Sequence, residues 1–495
     1  MNDSAGPRGS APGLANQAAV LAFSRFANYG LMLLSPIILV RLLSVEDFGR
    51  YREFLVYASL LQAFAAFSIS DSLLYFIPAH PQSPWHVVRQ SAALTALTSS
   101  LIVVILVAAD LLSGGAVVGP YLLPLSIYTL LFVNLDFWER FWLACRRPGA
   151  VFGYSSGRLI SRLLLVILVA ALAHDVETII WSLIGLETVR LLGAAIAWRV
   201  LDRARAEPAV PGLWREQLRF CLPAGSAVLL AMATGNLARI VVAKLLGPAA
   251  LARYTIGTHL EPFTVGLRGS VSQVVLPEMV RRLRAAQGDR LELWKRATVI
   301  NAVLLFPVVV VLGWYAEPVV VTVFGAAYQP AAAVMQIFLL VVVRECFDFA
   351  PALRAANRTV PLVLSNLAGL IVCGTVLAIL LPEGGLRGAV LAVVLAKFVD
   401  ALWLGCSVMR VYGVSLGRVI AWVPIARTAI AALGAGAVLM WPGWTDRLGP
   451  VGLVVASLVY LAAYALLLAA LRVQEATTVA AGIRKMLSAF VPRKS

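Results

Sequence analysis

The sequence predicts an all-α, polytopic membrane protein. Of its 495 residues, 61% are apolar and only 13% are charged, whereas soluble domains are roughly 45–50% apolar and about 25% charged. Long apolar segments follow one another along the chain, and segments of about ten residues with alternating polarity, which are typical of membrane barrels, are absent. Since every backbone polar group must be satisfied inside lipid, the apolar segments are expected to be helices.

About fourteen apolar segments reach the roughly 20 residues that a helix needs to cross the bilayer. Their approximate limits are 16–40, 53–77, 87–109, 119–144, 150–173, 177–199, 220–243, 252–276, 296–316, 329–353, 360–382, 387–409, 420–441 and 449–471.

The basic residues predict the orientation of these segments. Most of the 41 Lys and Arg residues fall in the two tails and in the even-numbered loops, such as 199–219 and 281–296. Cytoplasmic loops carry such an excess, so both termini are expected in the cytoplasm. This topology accounts for most of the net charge of +16 without nucleic acid as a partner.

The loops and the reactive side chains favour a transporter over an enzyme. The longest connections are about 20 residues and basic, which leaves no room for an extramembrane catalytic domain. The five cysteines and four histidines show neither CxxC spacing nor metal-ligand spacing, so no metal, cofactor or disulfide framework is expected.

An internal repeat divides the chain. RLLSVEDFGRY at 41–51 and KLLGPAALARY at 244–254 each follow an apolar segment and align residue by residue. Spans one to six then correspond to spans seven to twelve, and repeats of this kind enclose the site of many transporters. We therefore expect two pseudo-symmetric six-helix bundles, at 1–210 and 211–412, followed by two extra helices and a basic cytoplasmic tail at 413–495.

Three stretches carry a family resemblance. RLLSVEDFGRY resembles the start of bacterial polysaccharide flippases of the Wzx type, within the multidrug/oligosaccharidyl-lipid/polysaccharide exporter superfamily. EPVVVTVFGAAYQPAA at 317–332 and VLPEM at 275–279 are similar to the corresponding regions of those proteins. The second repeat departs from the pattern, because Ala252 stands at the position that corresponds to Gly49.

The resemblance implies a non-enzymatic, ion-driven flippase in the bacterial cytoplasmic (inner) membrane. Its substrate would be an undecaprenyl-pyrophosphate-linked oligosaccharide, moved to the outer leaflet by alternating access for assembly of a surface polysaccharide such as O-antigen or exopolysaccharide. A polysaccharide polymerase and chain-length proteins are the implied partners, besides the lipid bilayer. A peptidoglycan-precursor flippase, a multidrug exporter of the same superfamily and a membrane glycosyltransferase remain open as alternatives.

Charged residues inside the spans are the candidate site residues, because a charge near the bilayer centre costs roughly 2.5–3.5 kcal/mol on insertion scales. Acids and bases spaced i,i+3 or i,i+4 share a helix face and are expected to form intramembrane ion pairs. These residues are Asp136 with Arg140, Glu187 with Arg190, Arg344 with Asp348, and Lys397 with Asp400.

The remaining intramembrane charges are assigned to transport. Arg25, Arg239 and Arg268 have no acid within four residues, and their fork geometry suits a pyrophosphate, although pairing with acids of other helices is the alternative. Arg427, in a peripheral span, is expected to reach the headgroups. Asp71 and Glu261 lack a cation on the next helical turn and are the candidate ion-coupling acids.

The charge distribution generates a topology prediction. In a background without the native cysteines, a cysteine at position 115 or 384 should react with an impermeant thiol reagent from outside, because these positions lie in short outer loops. A cysteine at position 287, in a basic loop, should react only after the membrane is opened. Labelling of position 287 in intact cells would contradict this arrangement.

Overall fold

The computed structural model describes residues 30, 33–135, 137–145, 147–202, 207–208, 210–284, 289, 291–446, 449–477 and 479–480. In this part of the chain the regular structure is helical, with no β-strand. The α-helices are α1 Leu33–Leu42, α2 Val45–Ala66, α3 Ile69–Ala79, α4 Pro84–Leu112, α5 Leu122–Val133, α6 Phe137–Ala144, α7 Pro148–Ala173, α8 Val176–Asp202, α9 Leu213–Leu246, α10 Pro248–Gly257, α11 Glu261–Arg284, α12 Glu292–Phe324, α13 Ala331–Glu345, α14 Ala350–Ala355, α15 Val360–Tyr412, α16 Leu416–Val419, α17 Trp422–Ala435, α18 Gly443–Asp446 and α19 Gly449–Ala470. Short 3₁₀ turns occupy 119–121, 326–328 and 436–440.

Ten helical stretches among the described residues are long and apolar enough to cross a membrane. The predicted all-helical membrane fold is therefore confirmed, and the chain is a multi-pass membrane protein. The predicted span at 16–40 lies mostly outside the described residues.

Several predicted spans are joined or broken in the structure. α15 covers two of them, and the chain turns at Gly385, whose combination of φ +51° with ψ −129° is favourable only for glycine. Gly388 then lies so close to the Leu380 backbone that a Cβ would sit 2.1 Å from the carbonyl oxygen. The predicted span at 252–276 is divided between α10 and α11, and that at 329–353 between α13 and α14.

The described chain forms two compact units. Among the described residues, the first contains 61–226 together with those before 36, and the second contains 36–60 and those from 227 onward. The chain therefore passes from one unit to the other three times, inside α1, α2 and α9. The boundaries predicted at 210/211 and 412/413 remain a prediction.

Aromatic side chains form the centre of the first unit. The ring of Trp85 lies 5.3 Å from that of Phe141, 5.7 Å from Trp198 and 6.4 Å from Trp138, in tilted and edge arrangements. Gln217, fully buried at the start of α9, donates hydrogen bonds to the hydroxyls of Ser72 (2.7 Å) and Ser91 (2.6 Å). This network holds the N-terminal part of α9 against the first unit, since buried polar groups require partners.

Tyrosine hydroxyls connect the two last membrane helices to the rest of the second unit. Tyr464 of α19 donates to the Val303 carbonyl of α12 (3.1 Å), and Tyr460 donates to the Ala432 carbonyl of α17 (3.2 Å). Tyr315 of α12 donates to the Leu439 carbonyl (2.9 Å). Helices gain little from apolar burial against one another in lipid, so close packing and such hydrogen bonds hold them together.

The sequence motifs meet within the second unit. A Cβ at Gly49 would lie 1.9 Å from the Pro248 carbonyl oxygen, so the two repeats touch through their backbones. Arg41 donates to the carbonyls of Thr322 (2.6 Å) and Val323 (3.0 Å) just before the Phe-Gly-Ala-Ala-Tyr stretch. We call 41–51, 244–254 and 317–332 together the motif cluster.

The motif cluster generates a stability prediction. Gly49→Ala should lower the free energy of unfolding of the purified protein by about 1–3 kcal/mol, and its unfolding temperature should fall accordingly. The reason is that the added methyl group meets backbone that cannot move aside. Gly153→Ala is the matched control, since Gly153 lies in α7 with nothing within 4 Å of its Cβ position. The control should be neutral or more stable by roughly 0.5–1 kcal/mol. Equal unfolding temperatures for the two variants would refute the close contact.

Candidate functional site

A polar cavity of 270 Å³ lies within the second unit. Helices α9, α11, α13, α14 and α15 supply its walls. Its charged lining consists of Arg268, Arg344, Asp348, Arg354, Lys397 and Asp400, with Thr234, Ser365 and Asn366 among the uncharged polar residues. Charged side chains within a membrane domain are costly and commonly mark a substrate or ion pathway.

Glu345 connects the charges of this cavity. Its side chain is only 2% exposed, and its carboxylate lies 3.0 Å from the Arg268 guanidinium and 3.2 Å from that of Arg344. Spacing along a helix does not indicate Glu345, because this residue directly follows Arg344 and is not three or four residues from a base. The signal was present: Arg344, Glu345 and Asp348 interrupt an otherwise apolar segment.

Arg344 and Asp348 do not pair as their spacing predicts. α13 ends at Glu345, so Asp348 lies in the break before α14 and the helical i,i+4 geometry does not exist there. Asp348 instead accepts hydrogen bonds from the Ser272 hydroxyl (2.7 Å) and the Ala350 amide (3.2 Å), with Arg268 at 3.8 Å.

Lys397 and Asp400 do not form the ion pair that their spacing predicts. Asp400 pairs with Arg344 of α13, and the Arg344 Nε donates to the Lys397 carbonyl oxygen at 3.1 Å. Among the described residues, no carboxylate oxygen lies within 4.0 Å of the Lys397 ammonium. Cross-helix pairing therefore replaces same-helix pairing at this site.

Arg239 and Glu261 pair with each other. Their side chains meet between α9 and α11, so a predicted substrate-binding cation lies directly against a predicted coupling acid. Arg268 similarly pairs with Glu345. Pairing across helices, the alternative considered for these arginines, is the arrangement found for both.

Both arginines retain an unsatisfied donor. The buried Nε of Arg239 and the buried Nε of Arg268 have no hydrogen-bond partner among the described residues. Leaving a buried donor unpaired costs about 1–3 kcal/mol, and more when the group is charged. Each guanidinium therefore keeps one donor that its ion pair does not use.

The first unit contains the other predicted charges. Arg140 donates to Asp71 at 2.6 Å and lies 3.7 Å from Glu139; Arg158 donates to Glu139 at 3.1 Å. Glu187 and Arg190 are in contact within α8, and Arg190 also donates to the Tyr154 hydroxyl at 2.8 Å. Asp136 and Arg25 lie outside the described residues.

The described residues contain no group of three or more His, Cys, Asp and Glu side chains that could hold a metal ion. The carboxylates of Glu261, Glu345 and Asp400 instead face guanidinium groups. The arrangement is suited to binding a small anion and to exchanging ion-pair partners.

Solved membrane transporters share this fold. Lipid II flippase MurJ, in an inward closed conformation, is 13% identical, with a TM-score of 0.51 over 92% of this chain and 98% of that one. A multidrug resistance MATE family transporter of the MOP superfamily, in an inward-facing conformation, is 14% identical, with a TM-score of 0.58 over 80% and 99%. The eukaryotic MATE transporter AtDTX14 is 15% identical, with a TM-score of 0.55 over 82% and 99%.

The sequence comparisons give the family. No curated protein sequence matches the chain significantly. The family described as "Polysaccharide biosynthesis protein" matches residues 38–333, which is more than half of the chain and includes the whole motif cluster. The chain therefore belongs to the polysaccharide biosynthesis protein family, and its fold is that of MurJ and MATE transporters of the MOP superfamily.

Proposed function

We propose that the protein is a flippase that moves an undecaprenyl-pyrophosphate-linked oligosaccharide from the inner to the outer leaflet of the bacterial cytoplasmic membrane. The family and the transporter fold support this proposal. The observation that carries it is the pair of buried guanidinium groups, Arg239 and Arg268, each with an unpartnered Nε–H inside the membrane domain. Bidentate recognition of phosphate oxygens needs such donors.

The transport cycle that we propose has no chemical step. The two related halves, 1–210 and 211–412, alternate between inward and outward access, with both termini in the cytoplasm. The substrate's diphosphate displaces a carboxylate from an arginine on entry, and the carboxylate regains its partner on release. Arg25 is assigned to the same anionic head group, as the sequence analysis proposes.

The same pairs of arginine and carboxylate provide a way to couple ion movement to substrate movement. Protonation of Glu261 removes its charge and frees Arg239 for the diphosphate, and Asp71 with Arg140 forms an equivalent pair in the first unit. A proton, or a cation bound to the carboxylate, thus competes with the arginine for one acid. Opposed movement of ion and substrate would then be linked without direct contact between them.

A peptidoglycan-precursor flippase is the second candidate, since the fold is shared with a protein named lipid II flippase. Both substrates would carry a diphosphate, so the arginines do not separate them. The family described as polysaccharide biosynthesis protein favours the oligosaccharide substrate. A multidrug exporter fits less well, because cationic drugs would be repelled by the arginines. A membrane glycosyltransferase is also less consistent with the short loops between the spans.

We predict that Arg268→Ala lowers export at matched protein level, since it removes a bidentate contact worth about 1.5–3 kcal/mol. This corresponds to roughly ten- to a hundredfold weaker substrate binding. Arg268→Lys should recover only part of the activity, because lysine keeps the charge and loses the fork. The measurement is accumulation of lipid-linked repeat units on the cytoplasmic leaflet.

Arg427→Ala is the matched control, because Arg427 is exposed on α17. It should leave export unchanged. Glu345→Gln tests the pairing separately: it leaves Arg344 and Arg268 with one fewer counter-charge and should reduce the amount of folded protein. Normal export by Arg239→Ala and Arg268→Ala variants would rule out this assignment.

A further inference from the structure

We propose that Lys397 and Arg354 form, with Arg268, a binding site for a phosphate-class oxyanion in the cavity of the second unit. This inference rests on the proposed function and assigns the substrate's diphosphate to a defined place. It goes beyond the assignment of the unpaired arginines, because it adds two further cations: Lys397, whose predicted partner Asp400 pairs with Arg344, and Arg354.

The ion pairs of the cavity leave Lys397 without a direct counter-ion. Glu345 is held by Arg268 and Arg344, and Asp400 by Arg344. Asp348 accepts from Ser272 and the Ala350 amide. Every acid of the cavity thus has partners other than Lys397, and within the described part of the chain the ammonium makes no ion pair.

Arg354 adds a second cation. It lies at the end of α14, exposed, and also lines the cavity. No acid pairs with it in the described ranges either. The cavity therefore has an exposed cation, a half-buried ammonium on α15, and the free Nε–H of Arg268, an arrangement that attracts an anion and offers it donors.

The charge balance agrees with an anionic ligand. Four cations line or bound the cavity, namely Arg268, Arg344, Arg354 and Lys397, against Asp348, Asp400 and the adjoining Glu345. One positive charge remains unbalanced (4 − 3 = 1). A bound anion would neutralise this excess, and it would favour Lys397 most, because the half-buried ammonium makes no ion pair among the described residues.

The volume restricts the ligand. A cavity of 270 Å³ has room for a phosphate or a diphosphate group, since roughly 10–15 Å³ of such space already holds one water molecule. The uncharged polar groups add little specificity for sugars, because the side chains of Ser365 and Asn366 both donate to the Leu362 carbonyl of their own helix.

The test uses the full chain, purified into nanodiscs of phosphatidylcholine, with inorganic pyrophosphate as the probe and calorimetry as the readout. The wild-type protein should bind pyrophosphate saturably. Lys397→Met should weaken binding by about tenfold or more, because it removes a charge-assisted hydrogen bond. Arg354→Gln, at an exposed position where folding is unaffected, should also weaken binding.

Arg387→Gln is the matched control, since Arg387 is an exposed cation on the same helix that lines a different pocket. It should bind pyrophosphate like the wild type. Absence of saturable binding to the wild type, or unchanged binding by both Lys397→Met and Arg354→Gln, would overturn the site. If Lys397→Met does not fold, pyrophosphate binding is measured with Arg354→Gln and Lys397→Arg in its place. Unchanged binding by Arg354→Gln then overturns the site.

Further competition experiments identify the molecule that supplies the oxyanion. A polyprenyl diphosphate placed in the nanodisc should compete with pyrophosphate if the lipid carrier supplies the group. Phosphatidylglycerol in its place tests an ordinary lipid headgroup, and inorganic phosphate tests the free ion. Competition by phosphatidylglycerol or by free phosphate alone would keep the site and reassign its source.

The failure of this inference can be told apart from the failure of the proposed function. Normal pyrophosphate binding by a chain that does not move lipid-linked oligosaccharide would refute the flippase and leave the site intact. Normal export by Lys397→Met and Arg354→Gln variants without any pyrophosphate binding would refute the site alone.

Discussion

The pairing of arginine with carboxylate across helices is the interaction on which the second unit depends. An unpaired charge costs roughly 2.5–3.5 kcal/mol at the bilayer centre on insertion scales, and removal of one partner of a buried pair costs about 3–5 kcal/mol. The pairs connect α9 to α11, α11 to α13 and α13 to α15. Helices in lipid lack the hydrophobic driving force that joins helices in water, so these contacts also specify which helices are neighbours. The same charges provide both cohesion and the binding surface.

The fold class could be predicted because bilayer thickness leaves few solutions for long apolar segments. The interruptions are harder to predict. Charged residues and a proline do mark both places, with Asp348 before Pro351 and Glu261 before Pro262, but such residues also occur where a continuous helix only kinks. Gly385, within a Gly-Gly pair, did mark the turn that separates the two spans in α15.

The charged residues inside the spans could be identified from the sequence, but most of their ion-pair partners could not. Spacing along one helix identified Glu187 with Arg190, whose partners do lie on the same helix. It could not identify Arg344 with Asp400, or Arg268 with Glu345, because those contacts depend on which helices pack together. Aligning the two repeats does not reveal such contacts, because it shows which positions are equivalent and not which helices pack together. Glu345 was overlooked for the same reason.

The second repeat has Ala252 where the first has Gly49, and the structure explains the difference. Gly49 lies against the backbone of the second repeat at Pro248, whereas Ala252 is fully buried. The contact between the repeats is therefore not reciprocal. Only one of the two positions requires the absence of a side chain.

The division of the chain has a consequence for biosynthesis. Residues 36–60 belong to the same compact unit as the residues from 227 onward, so this unit is not a contiguous piece of chain. At about 5–20 residues per second, the 166 residues of 61–226 (226 − 60 = 166) take roughly 8–33 s to synthesise. Throughout that interval the backbone that Arg41 and Gly49 contact, at 322–323 and at 248, does not yet exist. The first membrane helices must therefore remain inserted with one part of their packing surface uncovered until the second half arrives.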